Sequence, residues 1–172
     1  QNRWLNWKFL WNQVTLSTTS SSDSLAAPTD LNFWDPKTFK INEGGTDDED
    51  ENLLYTEHDS VKFLVRDTTT NKPSTVILMP DNSIEFEPVP DGVYPIKADY
   101  FVRPTPMTTN SEISLIPKTY HQAILGRAII LYANYENAPE IKTQGEEIFE
   151  EVYGRLENHE LPNQRFSRFQ ST

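Results

Sequence analysis

His58, Asp59 and Ser60 follow one another directly and hold the residue types of a hydrolytic triad. Nucleophile, base and orienting acid must converge on one point, and they normally reach it from separate elements. Three chain neighbours do not, so this run is not expected to be catalytic. Asp48, Asp50, Asn52 and Asp59 fall at positions one, three, five and twelve of a calcium-loop pattern, but Leu53 stands where the sharp turn needs Gly. The plainer reading is a charged loop. His121 is expected on the polar side of a helix and His159 just after another, neither with a metal partner four residues on. Carboxylates are plentiful enough for a glycosidase-type acid and base, though nothing in the sequence pairs two of them. Trp34, Phe33 and Tyr94 could stack on a sugar ring if exposed, yet aromatics beside Pro-rich turns more often plug a core.

Several chemistries are excluded. There is no cysteine, hence no disulfide scaffold, thiol nucleophile or cysteine-ligated zinc or iron–sulfur site. No phosphate-cradling glycine loop, dinucleotide fingerprint or nucleophile elbow is present. The residues therefore give no reason to expect a catalytic site, a metal or a cofactor.

The elements that would position any site can be read from composition and periodicity. The chain has 172 residues, 36% hydrophobic, with 26 acidic against 15 basic side chains and a formal charge of −11. This is one domain or two small ones with material for a core, and wholesale disorder is excluded. The longest apolar stretch, Ala123 to Ala133, is broken by Arg127 and falls short of the ~20 residues of a membrane span. A soluble chain without a membrane partner is expected. So acidic a protein has no general attraction for phosphate, so contact with DNA should be repulsive or fleeting.

Trp4, Trp7 and Trp11 fall at i, i+3 and i+7, with Leu5 and Phe9 beside them, so residues 1–11 read as the last turns of an amphipathic helix. The pattern is already running at Trp4, so residues are expected before Gln1. Val14 and Leu16 then alternate with polar neighbours, and Thr18 to Ser24 reads as a turn. Strand signals recur at Val61–Val65, Thr75–Met79, Ile84–Phe86 and Val93–Val102, separated by turn residues, which describes an antiparallel meander closing into a small sandwich or barrel. Pro95 and Pro104 belong at strand ends. Glu43 to Glu51 holds six acids and no apolar residue, a solvated loop.

Pro117 offers a helix start. From there Tyr120, Ile124, Ala128, Leu131 and Tyr135 line up as one apolar face, broadened by Leu125, Ile129 and Tyr132. Asn137-Ala138-Pro139 breaks the pattern, and Ile141, Gly145, Ile148, Val152 and Leu156 form a second stripe, widened by Phe149 and Tyr153. So short a loop makes the two helices antiparallel. Gly126, Gly145 and Gly154 each cost a helix about 1 kcal/mol relative to Ala, which suggests close backbone approach at all three. The last residues, Leu161 to Thr172, carry Arg165, Phe166, Arg168 and Phe169 and no acid. They read as a frayed terminus or as an extended arm whose arginines and aromatics anchor another chain.

The fold expected is α+β. It is a discontinuous helical bundle (residues 1–12 and 116–158) with an inserted antiparallel β-sandwich or barrel domain (13–115, acidic loop 43–52) and an extended C-terminal arm (159–172).

The order of three segments carries a resemblance. Trp7-Lys8-Phe9-Leu10 ends a helix and feeds the β domain, Val93-Tyr-Pro-Ile-Lys-Ala-Asp-Tyr-Phe-Val-Arg-Pro104 closes it, and Ile116-Pro-Lys-Thr-Tyr-His-Gln-Ala-Ile124 opens a helix that ends near Tyr132-Ala-Asn-Tyr135. In that order and spacing the chain resembles the head-to-tail adaptor, or connector, proteins of tailed bacteriophages, in the subgroup whose bundle is interrupted by a β domain. An upstream helix of that family is absent here, and the acidic insert is not something its pattern requires.

The resemblance implies a non-enzymatic virion protein at the head–tail interface, assembled in the host cytoplasm. It implies a homo-oligomeric, dodecameric ring below the portal protein that lengthens the DNA channel and docks a tail or nozzle protein, with DNA passing through unread. It would place Arg165, Phe166, Arg168 and Phe169 against the portal. Trp4, Trp7, Trp11, Tyr120, Ile124, Leu131, Tyr135, Ile148 and Val152 would serve helical packing and assembly, because cyclic packing covers apolar stripes that one copy leaves bare. The competing expectation is a carbohydrate-binding or adhesin-like β module.

Overall fold

The computed structural model describes residues 7–42, 50–62, 69–109 and 111–161. The chain divides into two compact units, one of residues 1–10 with 104–172 and one of residues 11–103. It is α+β, with the two long helices in the first unit and the sheets in the second.

In the β unit the strands are β1 (Trp11–Ser17), β2 (Ser24–Leu25), β3 (Leu31–Trp34), β4 (Lys40–Asn42), β5 (Asp50–Asn52) and β6 (Leu54–Glu57). A one-turn helix α1 (His58–Val61) follows, then β7 (Thr70–Asn71), β8 (Thr75–Leu78), β9 (Ile84–Glu87), β10 (Val89–Pro90) and β11 (Pro95–Val102). One sheet runs β1-β11-β4-β5. β1 pairs antiparallel with β11 from Trp11 opposite Phe101 to Ser17 opposite Pro95. On its other edge β11 meets β4 at Ile96 and Lys97 and β3 at Tyr100 to Val102. A second sheet runs β2-β9-β8-β6, and β7 with β10 makes a two-stranded ribbon.

Period-two patterning explains the core. β11 buries Ile96, Ala98 and Tyr100 and leaves Pro95, Lys97 and Asp99 half-exposed, as a strand with one face on a core must. Val76, Ile84 and Phe39 pack with them, each contributing about 1.5–3 kcal/mol by leaving water. Pro95 stands first in its strand, where its missing N–H costs no ladder bond.

Four expectations change here. The first is the meander. β6 pairs with β8 in parallel and β7 with β10 in parallel, and parallel neighbours require crossover connections rather than hairpins. Second, Val61 closes α1 rather than opening a strand, because the place beside β8 is taken by Leu54–Glu57 and the chain must turn away after Glu57. Phe63 to Val65 lie outside the described residues. Third, among the described residues the helix expected through residue 11 is not found. Lys8–Leu10 is a 3-10 turn, and Trp11 begins β1 because seven residues of ladder with β11 outweigh helical spacing. Fourth, the acidic stretch is not all solvated loop. Asp50 to Glu51 lie in β5 opposite Asn42 and Ile41.

In the helical unit a 3-10 turn at Lys118–Tyr120 leads into α2 (His121–Glu136), and α3 spans Pro139–Glu160. Asn137 caps α2 in the left-handed region at φ 56°, which Asn tolerates. The Ala138 amide donates to the Ala133 carbonyl at 2.9 Å, and Pro139 opens α3.

The helices meet through their small residues. α2 buries Ala123, Gly126, Ile130 and Ala133, and α3 buries Gly145, Val152, Leu156 and Glu160. The apolar stripe read along α2 is therefore not the face that meets α3. Ile124, Leu125, Leu131, Tyr132 and Tyr135 are exposed, Tyr135 to 86%. Backbone proximity selects the small-residue face, since a Cβ on Gly145 would stand 3.1 Å from the Ile130 amide nitrogen. A Cβ on Gly154 meets nothing within 4 Å, so close approach is found at two of the three glycines and not at this one.

Candidate interaction surface

The helical unit carries an apolar groove enclosing about 490 Å³. One wall is aromatic. Phe149 stacks on Tyr153 at 5.0 Å between ring centroids, with 14° between planes. Trp7 meets Tyr153 edge-on at 6.4 Å and Phe9 at 5.6 Å, within the separations that ring quadrupoles favour. Lys8 holds this N-terminal turn in place by donating from Nζ to the His159 carbonyl at 2.6 Å, a cation at the C-terminal end of α3 where the helix dipole is negative. The other wall is α2, with Ile124, Ala128 and Leu131 one and two turns apart and Arg127 the charged lining residue.

α3 surrounds the aromatic wall with charge, carrying seven glutamates against Lys142 and Arg155. Burial raises the Tyr153 hydroxyl above its usual pKa, and the nearby Glu157 carboxylate adds to the rise. Glu146, Glu150 and Glu157 occupy the helical strip beside Phe149 and Tyr153 by their spacing of three and four residues.

The residues singled out for packing divide between several places. Trp7, Ile124 and Leu131 line the groove. Tyr120 is half-buried near His159, with ring centroids 6.3 Å apart. Val152 is in the interhelical core, Ile148 is half-buried, and Tyr135 is the most exposed of the large apolar residues on α2. Trp11 is 51% exposed in a strand of the other unit. Trp4, Arg165, Phe166, Arg168 and Phe169 lie outside the described residues. Helical periodicity missed the groove because it weighs hydrophobicity and not volume. The signal that locates it is the Gly126 and Gly145 pair, which turns the small residues inward and the large ones outward.

The chemistry-bearing residues of the β unit are engaged in structure. His58 and Asp59 sit on α1, where Lys62 donates to Asp59 at 2.9 Å, while Ser60 lies on the same helical turn. Trp34 is 4% exposed and its Nε1 donates to the Asn82 carbonyl at 2.9 Å, so it is a core plug and no sugar platform. Phe33 stacks on Phe101 at 4.8 Å, and the Tyr94 hydroxyl donates to Asp91. Asp50 accepts from Asn42 and lies 3.5 Å from Lys97 and 3.6 Å from Lys40. The Asn42 hydrogen bond first, then the two ammonium groups, hold its carboxyl below the usual range, against partial desolvation. Lys37, Thr38 and Asp99 complete a polar pocket of about 390 Å³ around it. His121 bonds through Nε2 to the Ile116 carbonyl at 2.9 Å, and His159 Nδ1 lies 2.8 Å from Glu160. Among the described residues no three His, Asp or Glu side chains are grouped to hold a metal ion. No helix among them is long and apolar enough to cross a membrane.

Compared with known families, residues 1–170 match the family model described as SU10 adaptor protein. No curated protein matches the chain.

Proposed function

The chain belongs to the SU10 adaptor protein family and is a structural adaptor of a bacteriophage virion, and on that premise we propose that copies of it close a ring below the portal. The ring, dodecameric by the resemblance, lengthens the DNA channel and offers its far side to a tail or nozzle protein. The segment bearing Arg165, Phe166, Arg168 and Phe169 docks on the portal. The acidic balance suits a conduit, because like charge keeps duplex DNA from adhering.

One observation carries this reading. α2 spends its small face on α3 and leaves large apolar side chains outside. Ile124 and Leu131 serve the groove, whereas Leu125 and Tyr132 stand about 100° further round the helix and have open exposure of 56% and 57%. A contiguous apolar surface of this kind is typical of a protein–protein contact, and repetition of one head-to-tail contact closes a ring.

The test is the assembly state. Mixed with portal, the chain should form a ring-on-ring complex with a central hole in negative-stain images. Leu125→Glu with Tyr132→Glu should keep the helical circular dichroism of the monomer and abolish the ring. A monomer that stays single at high concentration, with and without portal, rejects the proposal.

A further inference from the structure

We propose that, in the free chain, the groove between α2 and α3 seats the chain's own segment 162–172, with the Phe166 and Phe169 rings as anchors. The chemistry of the two matches. The groove offers stacked aromatic and aliphatic walls with Arg127 in its lining, beside the strip of Glu146, Glu150 and Glu157 on α3. The segment brings two phenylalanines, two arginines and no acid. Apolar anchors flanked by cations suit an apolar slot flanked by carboxylates, since the rings leave water while the guanidinium groups stay at the charged rim.

The reach also matches. Leu161 directly follows α3, and Leu156, five residues earlier, already lines the groove. Returning from Leu161 to the level of Phe149 covers about 18 Å at the helical rise, and the eleven residues that follow Leu161 span up to ~36 Å when extended. In a polyproline-II-type extended segment, with three residues per turn, Phe166 and Phe169 share one face and stand about 9 Å apart. Leu156 and Phe149, which bound the aromatic wall along α3, stand about 10.5 Å apart along the axis. A tethered segment meets its groove at an effective concentration of order millimolar, so even a weak site is occupied.

Occupation of the groove does not depend on the portal. Only its consequence rests on the function proposed above, namely that an arm drawn onto the portal vacates the groove and makes subunits competent to join once a portal is present.

The chain has no cysteine, which permits a direct test in the full-length protein without portal. Ala128→Cys on the groove wall is combined with Gln170→Cys beside Phe169, and Leu131→Cys with Gln170→Cys provides a second pair one turn on. Under mild oxidation at low protein concentration, an intramolecular disulfide should form, seen as a faster band on a non-reducing gel. Its yield should fall at least several-fold when Phe166→Ser and Phe169→Ser are added, and when the wall cysteine is moved to Gln144→Cys on the outer side of α3. No disulfide from either pair, disulfides only between chains, or a yield indifferent to loss of both phenylalanines would overturn the proposal. A disulfide without a ring on the portal would keep the groove assignment and reject the ring, and the reverse result would do the opposite.

Discussion

Gly126 on α2 and Phe149 on α3 are in backbone contact, for a Cβ on Gly126 would stand 2.9 Å from the Phe149 amide nitrogen and 3.1 Å from the Gly145 carbonyl oxygen. Neither atom can swing aside as the tip of a side chain would. Gly126→Ala must therefore part the helices, an overpacking cost of about 1–3 kcal/mol that outweighs the ~1 kcal/mol gained in helix propensity. Gly154→Ala meets open space and should stabilise α3 by up to about 1 kcal/mol. Urea unfolding followed at 222 nm should give midpoint shifts of opposite sign for the two variants, and shifts of equal sign would show that the helices do not meet at Gly126.

Trp34 is held at both ends, its rings against Phe39 at 5.3 Å and Tyr100 at 5.8 Å and its Nε1 on the Asn82 carbonyl. Asn82 sits in the left-handed region at φ 69° and donates to the Met79 carbonyl at 2.9 Å, so the indole also clamps a tight turn. Trp34→Phe should cost about 1–3 kcal/mol for the orphaned carbonyl, and Trp34→Ala about 3–5 kcal/mol by leaving a cavity. Thermal denaturation measures both. Glycan binding abolished by Trp34→Phe in a protein of unchanged stability would contradict its place in the core.

Asp50 makes the β unit sensitive to acid. Its folded carboxyl is held below the unfolded value, so the stabilisation it supplies is complete above about pH 4 and is lost as pH falls through the lower, folded value. Asp50→Asn should therefore lower stability at pH 7, where Lys40 and Lys97 are left facing a neutral group, and should flatten the fall between pH 5 and pH 2. Guanidinium midpoints at several pH values would show it. Parallel pH profiles for variant and parent would assign the acid sensitivity elsewhere.

What could be read in advance followed the strength of local signals. Thr75–Leu78 and Ile84–Glu87 are strands as expected, because β-branched and alternating residues flank the turn formers Pro80 to Ser83. The helical hairpin follows from Asn137-Ala138-Pro139, where a left-handed cap and an N1 proline are what those residues supply best. Parallel pairing of β6 with β8 has no local signature, since it is set by which distant edge is free. Trp11 shows the same limit. Its spacing from Trp7 fits a helix, yet a ladder whose partners on β11 are 78 to 90 positions away draws it into a sheet. At the groove, sequence identified the aromatics and lined up Ile124, Leu131 and Tyr135 as one apolar stripe, but it did not show which stripe meets α3, because periodicity cannot tell an inward stripe of alanine and glycine from an outward one of leucine and tyrosine.

The pairing of Trp11 with Phe101 brings together the two points at which the polypeptide joins and leaves the β unit. Residues opposite one another in such a ladder lie about 5 Å apart, a gap that a tight turn of a few residues bridges. The β unit is thus a cassette on two neighbouring stalks. It can be exchanged for another of different outline, or trimmed to a hairpin, with the rest of the polypeptide called on to supply no more than two adjacent ends. Such an exchange would leave the helical hairpin, and the spacing of Gly126 and Gly145 within it, untouched.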